Sequence, residues 1–189
     1  MANSVGVAAI GDQPAVPSEG RSLHPDWLNP STQFPLLYEQ EYTRIYRTVR
    51  AMVLDASDAD DLTQESFARA YRARKKYRPD APPSAWLHRI AVNTAISHLR
   101  RKKLARFFPI KLEVGREDPA LARADSRGMV EEALSVLSPK LRAAVVLQYF
   151  HDCSREEVAH ILHIPSGTVA SRIAKAMAQM RQKIEPPPN

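Results

Sequence analysis

A single cysteine, Cys153, leaves the chain without an intrachain disulfide framework, and that suits a reducing compartment. Long apolar runs are missing too. None approaches the ~20 residues a membrane-spanning helix needs, and Met1 to Gly20 lacks the basic n-region of a secretory signal. A cytoplasmic chain without membrane insertion is the expectation. There is no Gly-rich phosphate loop, no nucleophile elbow and no pair of catalytic carboxylates, so nothing points to an enzyme or a bound cofactor. Strand-like alternation and internal repeats are also absent. Aromatic residues make up only 7%, yet hydrophobic residues reach 44%, enough for a packed core.

What is present is helical periodicity in two blocks. Residues 1–33, rich in Gly, Pro, Ser and Ala, read as a disordered extension with Trp27 and Leu28 as docking points. From residue 34 to 103, Leu37, Ile45, Val49 and Met52 share one helical face. A second helix is expected from about Ala59, with Leu62, Phe67 and Ala70 inward. Pro79, Pro82 and Pro83 break the pattern, and Ser84 is placed to cap a third helix along Trp86, Ile90, Asn93, Ile96 and Leu99. Residues 104–128 lose periodicity and read as a linker. The helical pattern returns over 129–184, and the prolines of 185–189 form a tail. The fold class expected is all-α: two small helical domains joined by a flexible linker.

The C-terminal block carries a helix-turn-helix. Ser154-Arg155-Glu156-Glu157 has the form of a capping box, followed by an apolar face of Val158, Ala159, Ile161 and Leu162. His163-Ile164-Pro165 makes a compact turn, and Ser166 is placed to cap a second helix whose inner face is Val169, Ile173, Ala176 and Met177. In such a motif the second helix enters the major groove with its N-terminal residues at the base edges. Thr168, Ser171, Arg172 and Lys175 occupy the polar face, and Arg172 suits a bidentate guanine contact or a phosphate clamp.

Charge is segregated in the N-terminal block. Asp55, Asp58, Asp60, Asp61 and Glu65 precede Arg69, Arg72, Arg74, Lys75, Lys76 and Arg78, in a chain of net charge +6. The basic stretch, with Arg100-Arg101-Lys102-Lys103, suits DNA phosphates. The acidic stretch would be repelled by DNA and suits a protein partner.

These strings resemble one family. Leu137-Ser138-Pro139, Arg142, Glu157-Val158-Ala159, Gly167-Thr168-Val169 and Ser171-Arg172 look like the promoter-reading domain of sigma factors. Asp58 to Phe67 resembles their polymerase-binding helix, and Ala85 to Asn93 their −10-binding helix. Nothing matches the longer domains of housekeeping sigma factors, so the resemblance is to the small extracytoplasmic-function (ECF) type of the sigma-70 family.

The resemblance implies a subunit that binds core RNA polymerase and promoter DNA, with an anti-sigma factor as a further partner. It assigns Asp58, Asp61, Leu62, Gln64, Glu65 and Phe67 to the clamp of the largest polymerase subunits. It assigns Tyr77, Arg78, Trp86, Arg89, Asn93, Arg100 and Arg101 to the −10 element, and Ser166, Thr168, Ser171, Arg172 and Lys175 to the −35 element. Three positions depart from the family's usual pattern. His163 replaces a Gly, Ala170 a Lys, and Ser97-His98 stands where an Asp usually precedes Leu99-Arg100. A conventional helix-turn-helix regulator would explain residues 129–184 but leaves the acidic-then-basic block without a use. A metal site among His151, Cys153, His160 and His163 fits no established ligand spacing.

Overall fold

The computed structural model describes residues 28–79, 81–107 and 126–184, and all its regular elements among them are helical. Much of the expected extension, most of the expected linker and the tail lie outside the described residues. The extension expected to be disordered through residue 33 is nevertheless ordered from Leu28, which packs against the core. The Asn29 side chain accepts from the Ser31 N–H, while Gln33 Oε1 accepts from the Asn29 N–H. This local Asx-type turn supplies the order that composition alone does not reveal.

Helix α1 (Phe34–Val53) carries Pro35 in its first turn, where a missing N–H costs nothing. It ends at Leu54, whose left-handed backbone (φ 62°) lets its N–H bond the Arg50 carbonyl. Leu37, Ile45, Val49 and Met52 are all buried, as their spacing predicts. Helix α2 (Ala56–Ala73) begins three residues before the expected Ala59. Asp55 accepts from the Asp58 N–H at 2.8 Å and so caps it, a signal legible in the sequence. A 3₁₀ turn, Arg74–Lys76, follows.

Helix α3 (Pro83–Phe107) starts two residues earlier than a Ser84 cap implies, so Ser84 sits inside its first turn and is buried rather than capping. The predicted apolar stripe faces the core but is too narrow: Trp86 is buried and Ile90, Ile96 and Leu99 pack against the core. Asn93 is exposed, while Leu87, His88, Ala91, Val92 and Ala95 are buried. The reason is position: α3 packs against α1, α2 and two helices of the second bundle, so a single-stripe reading fails. Small residues at 85, 91 and 95 permit that crowding.

The second bundle comprises α4 (Ser126–Ser135), α5 (Pro139–Val145), a π-helical turn (Val146–Phe150), α6 (Arg155–Leu162) and α7 (Ser166–Ile184). Both bonds of the Ser154–Glu157 capping box form, at 3.2 and 2.7 Å. His163 closes α6 in the left-handed conformation (φ 52°, ψ 51°), a role imidazole tolerates better than most side chains. Helix α7 begins at Ser166 itself, one residue before the expected start, with the Val169 N–H bonded to the Pro165 carbonyl. Ser154→Ala removes the side-chain half of the box. It is expected to cost about 1 kcal/mol in urea unfolding without changing the helix content of the folded chain.

The two bundles share one continuous core among the described residues. Arg142, 6% exposed, donates to the carbonyls of Leu134 (3.0 Å), Ser135 (3.2 Å) and Leu137 (3.3 Å) in its own bundle, and to Met52 (2.5 Å) in α1. Thr48 and His151 meet at 2.8 Å across the same seam, and Arg50 pairs with Glu131 at 2.9 Å.

Candidate nucleic-acid interface

The acidic half of α2 is not one uniform surface. Asp61 and Gln64 are exposed and point away from the bundle. Asp58 instead ties α2 to α3, its carboxylate meeting His98 Nε2 at 3.1 Å and Lys102 Nζ at 3.2 Å. His98 lies in the stretch where the family's Asp is usual, and here that position draws on an acid from the neighbouring helix. Glu65 is shared between Arg69 (2.6 Å) and Arg72 (3.7 Å), and the Arg69 hydrogen bond holds its carboxyl below the usual range. Leu62 and Phe67 correct the sequence reading. Both are buried, with Phe67 stacked among Tyr38 and Tyr42, so neither offers surface to a partner.

The basic surface runs from the end of α2 along α3. Arg78 is exposed, and so are Asn93, Arg100 and Arg101. Tyr77 is half-buried. Its hydroxyl donates to the Ala81 carbonyl, and its ring meets Trp86 edge to face at 5.4 Å. Trp86 itself is buried and serves as a wall beneath the loop rather than an open stacking platform, which corrects its direct assignment to DNA. Arg89 and Asn93 lie one turn apart on the side of α3 left uncovered by its own bundle. The Arg89 guanidinium donates to His163 Nε2 in the helix-turn-helix.

On α7, Ser166, Ser171 and Lys175 are exposed, while Thr168 and Arg172 are half-buried. Ser171, Arg172 and Lys175 line a shallow groove together with Ser138 and Lys140 from the start of α5. Lys140 was not singled out in the sequence. The signal was available, because Leu137-Ser138-Pro139 places it in the first turn of the helix preceding the motif. At Gly167 an added Cβ would meet nothing within 4 Å, so the fold does not itself require glycine there.

The histidines and the cysteine that invited a metal reading are otherwise engaged or apart. His151 bonds Thr48, His163 accepts from Arg89, and burial pushes the Cys153 thiol up to about 12, with Glu157 adding to the shift. No group of three or more His, Cys, Asp or Glu among the described residues is arranged to hold a metal ion. Nor is any helix among them long and apolar enough to cross a membrane.

Comparison with known proteins agrees with this arrangement. Residues 37–105 match the family model for sigma-70 region 2, and residues 127–180 that for sigma-70 region 4. The RNA polymerase sigma-H factor of Pseudomonas aeruginosa is 32% identical over 167 residues, 81% of this chain and 86% of that one. The ECF RNA polymerase sigma factor SigM of Mycobacterium tuberculosis is 33% identical over 147 residues, 78% of this chain and 74% of that one. Among solved structures, the fold is similar to the sigma factor RpoE of Bartonella quintana in complex with the anti-sigma factor NepR. The TM-score there is 0.65 at 20% identity, covering 82% of this chain and 99% of that one. CnrH in complex with the cytosolic domain of CnrY gives 0.59 at 24% identity, covering 82% and 89%. The sigma factor family is not an enzymatic one. Region 2 on α1–α3, region 4 on α4–α7 and this set of relatives make the chain a member of the sigma-70 family, of the ECF sigma factor type.

Proposed function

We propose that the chain directs promoter-specific initiation through three surfaces, divided between functional units at residues 34–103 and 129–184 with 104–128 as the tether. The observation that carries this reading is one bundle with an acidic face and a basic face, joined in the same chain to a helix-turn-helix. Asp61 and Gln64 form the centre of the polymerase contact, and Asp58 and Glu65 frame it with their carboxylates already partnered. Leu62 and Phe67 act from beneath by fixing the pitch of α2.

Tyr77, Arg78, Arg89, Asn93, Arg100 and Arg101 take the −10 element. The arginines neutralise phosphates, and the Tyr77 loop, backed by Trp86, holds an unstacked base of the displaced strand. Ser166, Thr168, Ser171, Arg172 and Lys175 read the −35 element, and Lys140 joins them on the backbone. The solved relatives in complex with NepR and CnrY support a proteinaceous anti-sigma partner for this chain as well. With polymerase and promoter as its ligands, the chain works in the cytoplasm and supplies no catalytic group of its own.

Arg172 gives the sharpest residue-level test. Arg172→Ala is expected to lower run-off transcription from a cognate promoter roughly tenfold to a hundredfold, the worth of one good bidentate base contact. The same variant is expected to leave a promoter with a scrambled −35 element unchanged. Equal losses on both promoters would assign Arg172 to phosphate alone.

A further inference from the structure

The turn at residues 28–33 precedes the residues that match region 2, and none of the three surfaces uses it. It is nevertheless firmly placed. Leu28 packs against the core and Pro30 is buried. The Asn29 carbonyl accepts from the Thr32 and Gln33 N–H groups at 3.1 and 2.8 Å, and the Asn29 side chain accepts from the Ser31 N–H at 2.9 Å. These bonds fix the Ser31 backbone. Its hydroxyl donates to the Arg74 carbonyl at 3.0 Å, 43 residues further along the chain.

The place of that carbonyl gives the bond its consequence. Arg74 opens the 3₁₀ turn, and the same carbonyl accepts from the Tyr77 N–H at 3.3 Å. A carbonyl oxygen has two lone pairs, so both donors fit on it together. Tyr77 in turn shapes the loop before α3, through its hydroxyl on the Ala81 carbonyl and its ring against Trp86. The Arg74 side chain is fixed as well. Its guanidinium bonds the Tyr71 carbonyl at 2.6 Å and lies 3.6 Å over the Tyr71 ring, which meets Phe34 edge to face at 5.3 Å. Burial does not hold this turn, because none of Arg74, Lys75 and Lys76 is buried. Adjacent cations also repel one another. A brace from outside is what keeps it in one place.

We infer that Ser31 is a positioning residue for the −10 loop: through the Arg74 carbonyl it sets the backbone at Tyr77, and with it the pocket in which that loop holds an unstacked base. The inference deepens the sigma-factor reading and rests on it for its consequence, whereas the brace itself is a property of the free chain. Because Ser31 acts through the loop, its loss weakens −10 recognition and leaves −35 reading and polymerase binding intact.

Two measurements on the full chain test this. In a Trp27→Phe background Trp86 is the only tryptophan, and acrylamide quenching of its fluorescence reports how closely the Tyr77 loop covers it. Ser31→Ala is expected to raise the quenching constant roughly twofold as the loop opens more often. Ser31→Thr, which keeps the hydroxyl, is expected to restore it. Run-off transcription from a cognate promoter is expected to fall about fivefold for Ser31→Ala, the worth of one neutral hydrogen bond. Added to Tyr77→Ala, the same change is expected to cost nothing further, since both act through one loop. Unchanged quenching overturns the proposal, as does unchanged transcription or an equal further loss in the Tyr77→Ala chain. A wild-type chain that starts no transcript would sink the sigma reading instead, and the quenching comparison would still decide whether Ser31 braces the loop.

Discussion

Arg142→Ala is expected to lose about 3–5 kcal/mol of stability, the largest effect of any single substitution at the seam, measured by urea unfolding of the full chain. The guanidinium serves four carbonyls at once, and three of them lie at helix ends. Leu134 and Ser135 close α4, and Met52 lies in the last turn of α1. Such carbonyls have no intrahelical partner. Two helix dipoles therefore point their negative ends at one buried cation. Burial pulls its pKa down from the usual value, which records the desolvation those carbonyls offset. Truncation leaves all of them facing a cavity. Arg142→Lys keeps the charge but cannot present a planar fork, and it is expected to recover only part of the loss. A melt shifted by less than 1 kcal/mol for Arg142→Ala would mean that the carbonyls find other partners and that the seam does not depend on this residue.

Acidification from pH 7 to pH 5 is expected to weaken the folded chain by on the order of 3 kcal/mol, through His88 and His151 together. Burial lowers His88 to about 3, with His151, and with Arg44 beyond it, adding to the shift. Burial lowers His151 to about 4, with Arg44 and Arg47 of α1 adding repulsion. Hydrogen bonding fixes which ring nitrogen carries the proton, and for His88 it opposes the lowering that burial imposes. His88 donates Nδ1–H to the Ser84 carbonyl, and His151 donates Nε2–H to Thr48. An unfolded histidine titrates near 6.5. Above that value both states are neutral and the stability is fully present. Below it the unfolded chain takes up protons that the buried rings refuse, so stability falls until the folded values are reached. His151→Gln, which keeps a donor to Thr48, is expected to flatten about half of this slope in thermal melts between pH 7 and pH 5. A wild-type melt with no pH dependence over that range would contradict the burial of the pair.

Much of this was legible in the residue string, and the physical reasons for the rest are specific. The inner face of α1, the capping box at Ser154 and the left-handed turn at His163 depend on near neighbours in sequence, so spacing and side-chain type were enough. Helix α3 is buried on more sides than its apolar stripe shows, because its burial comes from elements distant in the chain. Local periodicity cannot encode packing on several sides. The same holds for the candidate site. Ser171, Arg172 and Lys175 follow from the amphipathic pattern of α7, whereas Lys140 joins them only through the packing of α5 on α7. The acids of α2 were found as a run, but which of them remain available was decided by His98, Lys102, Arg69 and Arg72. The seam was not legible at all. Arg142 stands in the family string without any sign of its role here, and Thr48, His88 and His151 are scattered over much of the chain and form no motif.

Sigma-dependent initiation is the central functional claim, and run-off transcription with purified core polymerase measures it directly. Adding the full chain is expected to start transcripts at discrete promoters that core alone leaves silent, and Asp61→Arg is expected to abolish them at equal protein concentration. Tight binding of the isolated chain to duplex DNA, with no transcript from any promoter in the presence of core, would contradict the assignment and leave a conventional DNA-binding regulator in its place.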